Sequence, residues 1–291
     1  MYFTKMHGLG NNYIFINLLE NTLQEQILPT LAKNLSDVRF GIGSDGMILI
    51  CDSKVADFRM RIFNADGSEG KNCGNGLRCV AKYLYDHQFI DSTCFTIETL
   101  GGIVEVHISQ ENTKEVEFVT VDMGEPKLLK GMIPMKGDPT TKTINEPLTI
   151  GGNVYYLTCV SMGNPHAIMF VDDVHNVPLE TIGPMIEFSD LFPERVNVGV
   201  VEVKNDNEID YRVWERGSGL TMACGTGACA AVVAATLNGK LKQNQVITVH
   251  LPGGDLEIHW DEHNHVWKKG RAEYICHGEI KLDYFTKETM L

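Results

Sequence analysis

The sequence predicts an α+β protein built from two homologous halves. Three observations carry that expectation. A motif pair recurs at about half the chain length, strand-like alternation outweighs helical stretches, and strict strand–helix–strand alternation is absent, which argues against a doubly wound sheet.

Taken in chain order, the first landmark is Gly10-Asn11 ahead of the apolar run Ile14-Phe15-Ile16. Gly163-Asn164 ahead of Ile168-Met169-Phe170 repeats it 153 residues later (Asn11 to Asn164). Gln24–Leu35 reads as a helix. Phe58, Met60 and Ile62 alternate with polar or charged neighbours, as a half-buried strand does, and Val116-Phe118 reads the same way. Phe63-Asn64-Ala65-Asp66-Gly67-Ser68 then leads into Cys73-Gly74-Asn75-Gly76 and a helix over Leu77–Tyr85. Leu179–Glu187 is the next helical stretch. Trp214-Glu215-Arg216-Gly217-Ser218 leads into Cys224-Gly225-Thr226-Gly227 and a helix over Ala228–Leu237, with Asn238-Gly239 as its stop signal. The two cysteines are 151 residues apart (Cys73 to Cys224), so two landmark pairs keep nearly one offset. Gln245–Leu251 and Leu256–Trp260 flank Pro252-Gly253-Gly254 and read as a hairpin. Thr286–Leu291 is expected to fray.

Composition narrows the function classes. A chain of 291 residues and 32.4 kDa, 43% apolar and 22% charged, can bury one large core or two smaller ones. Its formal charge of −13 lacks the basic footprint of a nucleic-acid binder, so no nucleic-acid partner is expected. Ala228–Leu237, the longest uncharged apolar stretch, is too short to span a bilayer, and Met1–Leu9 lacks the apolar core of a secretion signal. The expectation is a soluble cytoplasmic protein with no membrane partner. Eight cysteines are too few for a disulfide scaffold of this size, and no C-x-x-C pair occurs. No metal site is expected, and Cys51, Cys79, Cys94, Cys159, Cys229 and Cys276 read as packing or surface residues.

Cys73 and Cys224 are different. Each precedes a glycine-containing turn that opens a helix, where unpaired N–H groups and the positive dipole end favour a thiolate. The thiol pKa is therefore expected to fall below its free value of about 8.5. The same N–H groups suit a substrate carboxylate, with Gly74, Gly76, Gly225 and Gly227 letting the backbone approach it. A single such motif reads as a structural turn with a packed cysteine. Its duplication suggests that a thiolate and a thiol flank one carbon, one removing a proton and the other returning it to the opposite face. That inverts a stereocentre with no cofactor.

These residues resemble a known family. Lys5-Met6-His7-Gly8-Leu9-Gly10-Asn11, the Phe63–Ser68 segment with Cys73–Gly76, Gly163-Asn164-Pro165-His166, and Glu215-Arg216-Gly217 with Ala223–Gly227 are similar in order and spacing to diaminopimelate epimerases, up to about Gly239. The resemblance implies a cofactor-independent isomerase that interconverts LL- and meso-2,6-diaminopimelate in lysine and peptidoglycan precursor synthesis, usually as a homodimer; the alternative readings are a racemase or epimerase of another amino acid on the same scaffold, or a non-catalytic thiol binding or redox protein. It implies two pseudo-symmetric domains, each a mixed β-sheet curled into a barrel around a central helix. These are 1–124, completed by 272–291, and 125–271, with the active site in the cleft between them.

By the same resemblance, Cys73 and Cys224 are the acid/base pair, and His166 and Glu215 tune which sulfur is ionised. Backbone at Gly74, Asn75, Gly225 and Thr226 holds the reacting carboxylate. Asn11, Asn64, Asn164, Asn197 and Arg216 bind the substrate, chiefly its distal end, and Glu215 contacts its ammonium. Arg216 suits that task because a guanidinium grips a carboxylate in bidentate fashion. On the residues alone, Asn11 and Asn164 also read as turn residues, His166 as a satisfied histidine, and Glu215-Arg216 as a solvated strand end. Asn197, inside an apolar strand, needs hydrogen-bond partners in any reading. Asn12-Tyr13, Gly46 and Leu220 depart from the family pattern and bear on substrate preference.

Overall fold

Two adjacent parallel strands in each half are apolar almost without interruption, which requires cover on both faces. That requirement organises the fold. The computed structural model describes residues 1–70, 74–109 and 116–286. The chain forms two compact units, Met1–Val121 with Gly270–Leu291, and Asp122–Lys269.

The first unit contains β1 (Tyr2–Gly8), β2 (Asn11–Asn17), β3 (Gly46–Cys51), β4 (Phe58–Asn64), β5 (Glu69–Gly70), β6 (Cys94–Thr99), β7 (Gly102–Ser109) and β8 (Phe118–Asp122). A late strand, Glu273–Glu279, pairs antiparallel with β1. From it the order runs β1, β2, β3, β4, β6, β7, β8, parallel only at β2–β3 and β4–β6. The two-residue β5 folds back on the end of β4. Helix α1 (Leu28–Ser36) covers one face, where Leu31 and Leu35 pack with Ile14, Ile16, Met47 and Leu49. Helix α2 (Gly74–Asp86) touches both β1 and β7, which lie far apart in the order, so the sheet bends round it.

The second unit repeats this plan. Its strands are β9 (Glu146–Ile150), β10 (Asn153–Ser161), β11 (Pro165–Phe170), β12 (Asn197–Asn205), β13 (Glu208–Glu215), β14 (Gly219–Leu220), β15 (Val246–Leu251), β16 (Gly254–Trp260) and β17 (Val266–Gly270). The order β9, β10, β11, β12, β13, β15, β16, β17 is again parallel at only two places, β11–β12 and β13–β15. The short β14 folds back on β13, pairing Leu220 with Trp214 as Glu69 pairs with Phe63 in the first unit. Helix α3 (Leu179–Glu187) covers the outer face through Leu179 and Ile186. Helix α4 (Gly225–Leu237) touches β10, β11, β12, β13, β15 and β16. Its run of Ala, Cys and Val is buried on all sides, which fits a helix enclosed by a sheet rather than lying on one.

The α+β class and the mixed sheets match the sequence expectation, with one difference in the helices. Both central helices have 13 residues and start three residues before the expected Leu77 and Ala228. The glycines of the duplicated motif therefore form the first helical turn instead of preceding it. Gln24–Leu35 resolves into a short 3₁₀ turn, Glu25–Ile27, followed by α1, whose first turn contains Pro29. Among the described residues, no helix is long and apolar enough to cross a membrane.

Candidate active site

In the second unit, β13 ends at Glu215 and the chain reverses through Arg216, Gly217 and Ser218, where the Ser218 N–H donates to the Glu215 carbonyl at 3.0 Å. Gly217 has φ of +78°, a left-handed conformation that glycine takes without a steric cost. A buried carboxylate that the sequence did not single out braces this turn. Glu187, at the end of α3, accepts from the Gly217 N–H at 3.0 Å and from the Trp214 indole at 2.7 Å. An acidic residue closing the apolar stretch 182–186 is the only signal the sequence carries for it.

Cys224 stands in extended conformation immediately before α4, and it is 4% exposed. Its sulfur lies 3.5 Å from the Thr226 hydroxyl and accepts the Gly227 N–H from the first helical turn. Glu215 lies beside the thiol, accepts its proton in a hydrogen bond, and accepts from the Thr221 hydroxyl at 2.5 Å. The balance of these effects overturns the expected low pKa. Burial, and after it the Glu215 charge, hold the thiol well above its ordinary value, while Thr226 and the helix N–H pull it down by less. Cys224 is a thiol in this state.

His166 lies wholly buried on β11, level with Asn197 on β12. Its Nε2 is 3.0 Å from Asn164 Oδ1 and 3.1 Å from Thr226 Oγ1, while Nδ1 has no hydrogen-bond partner. Burial, then the Arg216 charge, lowers its pKa to about 3, so the ring is neutral. With Nδ1 unpartnered, the cheaper tautomer carries the proton on Nε2, which donates and leaves the Thr226 hydroxyl hydrogen for the Cys224 sulfur. Asn164, His166, Thr226, Cys224, Glu215 and Thr221 thus form one string of polar contacts.

Asn197 has the partners its position demands. Its amide donates to the Pro165 carbonyl at 2.9 Å and its Oδ1 accepts the Arg216 N–H at 2.8 Å. It ties β11 to the Glu215-Arg216 turn, while Arg216 Nη1 donates to the Glu194 carbonyl at 2.8 Å. Gly227 and Gly199 also have a packing role. A Cβ at Gly227 would collide with the Tyr211 hydroxyl, and one at Gly199 would lie 2.6 Å from the same ring. The Tyr211 hydroxyl itself is buried without a hydrogen-bond partner.

In the first unit, Asn75 in the first turn of α2 donates to Asn11 Oδ1 at 3.3 Å. Asn11 in turn donates to Asp45 at 2.8 Å, and Asp45 also accepts the Asn12 N–H at 2.7 Å. Asp45, a positioning carboxylate, was not among the sequence candidates. Asn64 ends β4 at the place that Glu215 occupies on β13, but its amide donates to Ser68 at 3.0 Å and not to the Asn11 group. Gly74 begins α2. Gly46 has no room for a side chain, because a Cβ there would meet the Phe63 carbonyl and lie 3.1 Å from the Tyr13 ring. Cys73 lies outside the described residues.

The second unit therefore joins a buried thiol to a helix start and a neutral imidazole. Such a group can deliver a proton beside a site for an anion. Burial likewise raises the Cys51 and Cys159 thiols, to about 11 and about 12.

Comparison with known proteins identifies the family. The family model described as diaminopimelate epimerase matches residues 3–129 and 158–275. Diaminopimelate epimerases of Bacillus mycoides (strain KBAB4) and Bacillus cereus (strain AH187) are each 56% identical over 283 residues, covering 97% of this chain and 98% of the relative. Among solved structures, a PhzF-family phenazine biosynthesis protein of Bacillus anthracis superposes with a TM-score of 0.70 at 17% identity, covering 97% of this chain and 99% of that one. A hydroxyproline epimerase of Agrobacterium vitis gives a TM-score of 0.68 at 13% identity, covering 96% and 90%. At those identities the likeness is one of fold.

Proposed function

The chain belongs to the diaminopimelate epimerase family, and from that premise we propose that it interconverts LL- and meso-2,6-diaminopimelate by two-cysteine proton exchange at one α-carbon. It is an isomerase. The observation that carries the mechanism is the Cys224 thiol, buried at the first turn of α4 in the second copy of a duplicated motif. Cys73 occupies the matching sequence position in the first copy.

In one direction the Cys73 thiolate takes the α-proton, and the electron pair stays on carbon as a carbanion beside the carboxylate. Cys224 then gives its thiol proton to the opposite face. One S–H bond forms and the other breaks, so nothing is oxidised and no cofactor is consumed. The reverse direction exchanges the roles. The halves 1–124 with 272–291 and 125–271 each supply one sulfur in this reading. N–H groups at the starts of α2 and α4, at Gly74, Asn75, Gly225 and Thr226, hold the carboxylate and favour charge developing next to it. Neutral His166 and anionic Glu215 set the ionisation of the sulfurs, and Glu215 faces the substrate ammonium. Arg216, Asn11, Asn64, Asn164 and Asn197 recognise the distal amino-acid end. The family resemblance further supports a cytoplasmic homodimer in lysine and peptidoglycan precursor synthesis.

Incubation with LL-diaminopimelate in heavy water tests the reading. Inverted product should carry deuterium at the α-carbon, as proton exchange with solvent-equilibrated thiols requires. Product without label, or no turnover of this substrate, overturns it.

A further inference from the structure

The β6–β7 hairpin presents a thiol, an imidazole and a carboxylate on one exposed face. Cys94 stands directly opposite His107 in the antiparallel register, and Thr96 opposite Glu105 one pair along that face. Side chains alternate along a strand, so these positions share the outer surface while Phe95, Val106 and Ile108 turn inward. The His107 Nε2 is 2.7 Å from Glu105 Oε1 and 3.8 Å from Cys94 Sγ. All three ligand atoms lie within 4.8 Å of one another.

An exposed His–Glu contact alone is ordinary and contributes little. The thiol changes the reading, because it converges on the same ring nitrogen as the carboxylate. A tetrahedral zinc site, with Zn–S near 2.3 Å and Zn–N or Zn–O near 2.0–2.2 Å, has an S···N edge of about 3.6 Å and an N···O edge of about 3.4 Å. Sulfur and nitrogen already stand close to one such edge, and nitrogen and the carboxylate oxygen fall short of the other by less than about 1 Å.

We propose that Cys94, Glu105 and His107 form a surface site for a divalent transition metal ion, zinc before others, with water completing the shell. The donor set decides the metal class, since thiolate with imidazole disfavours magnesium and calcium, which take oxygen ligands. The surroundings favour a cation. Asp57, which accepts the Thr96 N–H and the Thr96 hydroxyl at 2.8 Å each, adds a second carboxylate on this face, at the residue that stands opposite Glu105. A metal ion that binds there displaces the thiol proton to solvent. Once bound, the ion clips β6 to β7 across the register.

Cobalt(II) titration of the full-length protein reads the site directly. A 1:1 complex should show thiolate-to-cobalt charge transfer in the near ultraviolet and visible bands of tetrahedral strength, with zinc displacing the cobalt. Loss of even an outer-shell partner at such sites costs about 10–100-fold in affinity, so Cys94→Ser and His107→Ala should each lose at least about tenfold. Cys276→Ser, at the other exposed thiol among the described residues, should bind normally. Epimerase turnover and circular dichroism of Cys94→Ser should be unchanged, which separates lost binding from lost folding. No charge-transfer band at up to millimolar cobalt, or a band that survives Cys94→Ser, overturns the proposal.

Discussion

Lowering the pH from 7 to 4.5 protonates the histidines of the unfolded chain, yet leaves His166 neutral in the folded one. Its pKa is about 3 when buried, against 6.5 for the free side chain. Between those values the unfolded state binds the extra proton, so stability rises with pH across that window. The His166 contribution is complete above about pH 6.5 and is lost as the pH falls towards 3. At pH 4.5 the loss is two pH units at 1.36 kcal/mol each, or about 3 kcal/mol. Carboxylates whose pKa is lowered by hydrogen bonds, such as Asp57 and Asp261, lose stability in the same direction, so a reference variant is needed. His166→Gln removes the titrating ring. Urea unfolding at both pH values, followed by tryptophan fluorescence, isolates the relevant unit, since Trp214, Trp260 and Trp267 all lie within Asp122–Lys269. The wild-type chain should lose about 3 kcal/mol more than the variant on acidification. Equal losses would refute the buried, neutral imidazole.

Two further substitutions probe the surroundings of Cys224. Thr226→Val removes the hydroxyl shared by His166 Nε2 and the Cys224 sulfur; because that hydroxyl lowers the thiol pKa, alkylation of Cys224 should move to higher pH and turnover should drop by about tenfold or more. An unchanged alkylation profile would show that the Thr226 hydroxyl does not act on the Cys224 sulfur. Gly227→Ala should destabilise the fold by about 1–3 kcal/mol through collision with Tyr211, and Tyr211→Phe, which deletes an unpartnered buried hydroxyl, should cost nothing by itself and restore part of that loss. Urea melts of both single variants and the double variant check this, and a neutral Gly227→Ala would contradict the packing described.

The duplication was legible because it is written twice. The turn from Phe63 to Glu69 and that from Trp214 to Leu220 have the same length and pair the same positions, and each is followed by a 13-residue helix. Periodicity found the helices but not their starts, since glycine has a low helix propensity and the first turn of each helix contains two. Glu187 and Asp45 were hidden for another reason. Each acts through backbone N–H groups distant in sequence, a pairing that only tertiary structure creates. Asn197 lies between these cases. Its place in an apolar strand announced a need for partners, but not that they would be the Pro165 carbonyl and the Arg216 N–H.

The Cys224 thiol shows why a helix start is a weaker acidifier than position alone suggests. Helix-end charge contributes about 0.3–1 kcal/mol at exposed sites and up to about 2 in partly buried ones. Complete desolvation of an ionisable group shifts its pKa by up to about 3–5 units, or roughly 4–7 kcal/mol. Burial therefore wins at Cys224, and Glu215 adds to it. The Gly227 N–H already meets the sulfur, so in the proposed mechanism it is the N–H groups of Gly225 and Thr226 that serve charge arriving with a ligand. Under the proposed mechanism, a substrate ammonium placed against Glu215 would cancel the carboxylate that keeps the proton on sulfur, and so ease the ionisation that the proposed reverse reaction requires. Ionisation of Cys224 would then be a consequence of binding, and no thiolate need persist in the empty protein, where it would be open to oxidation.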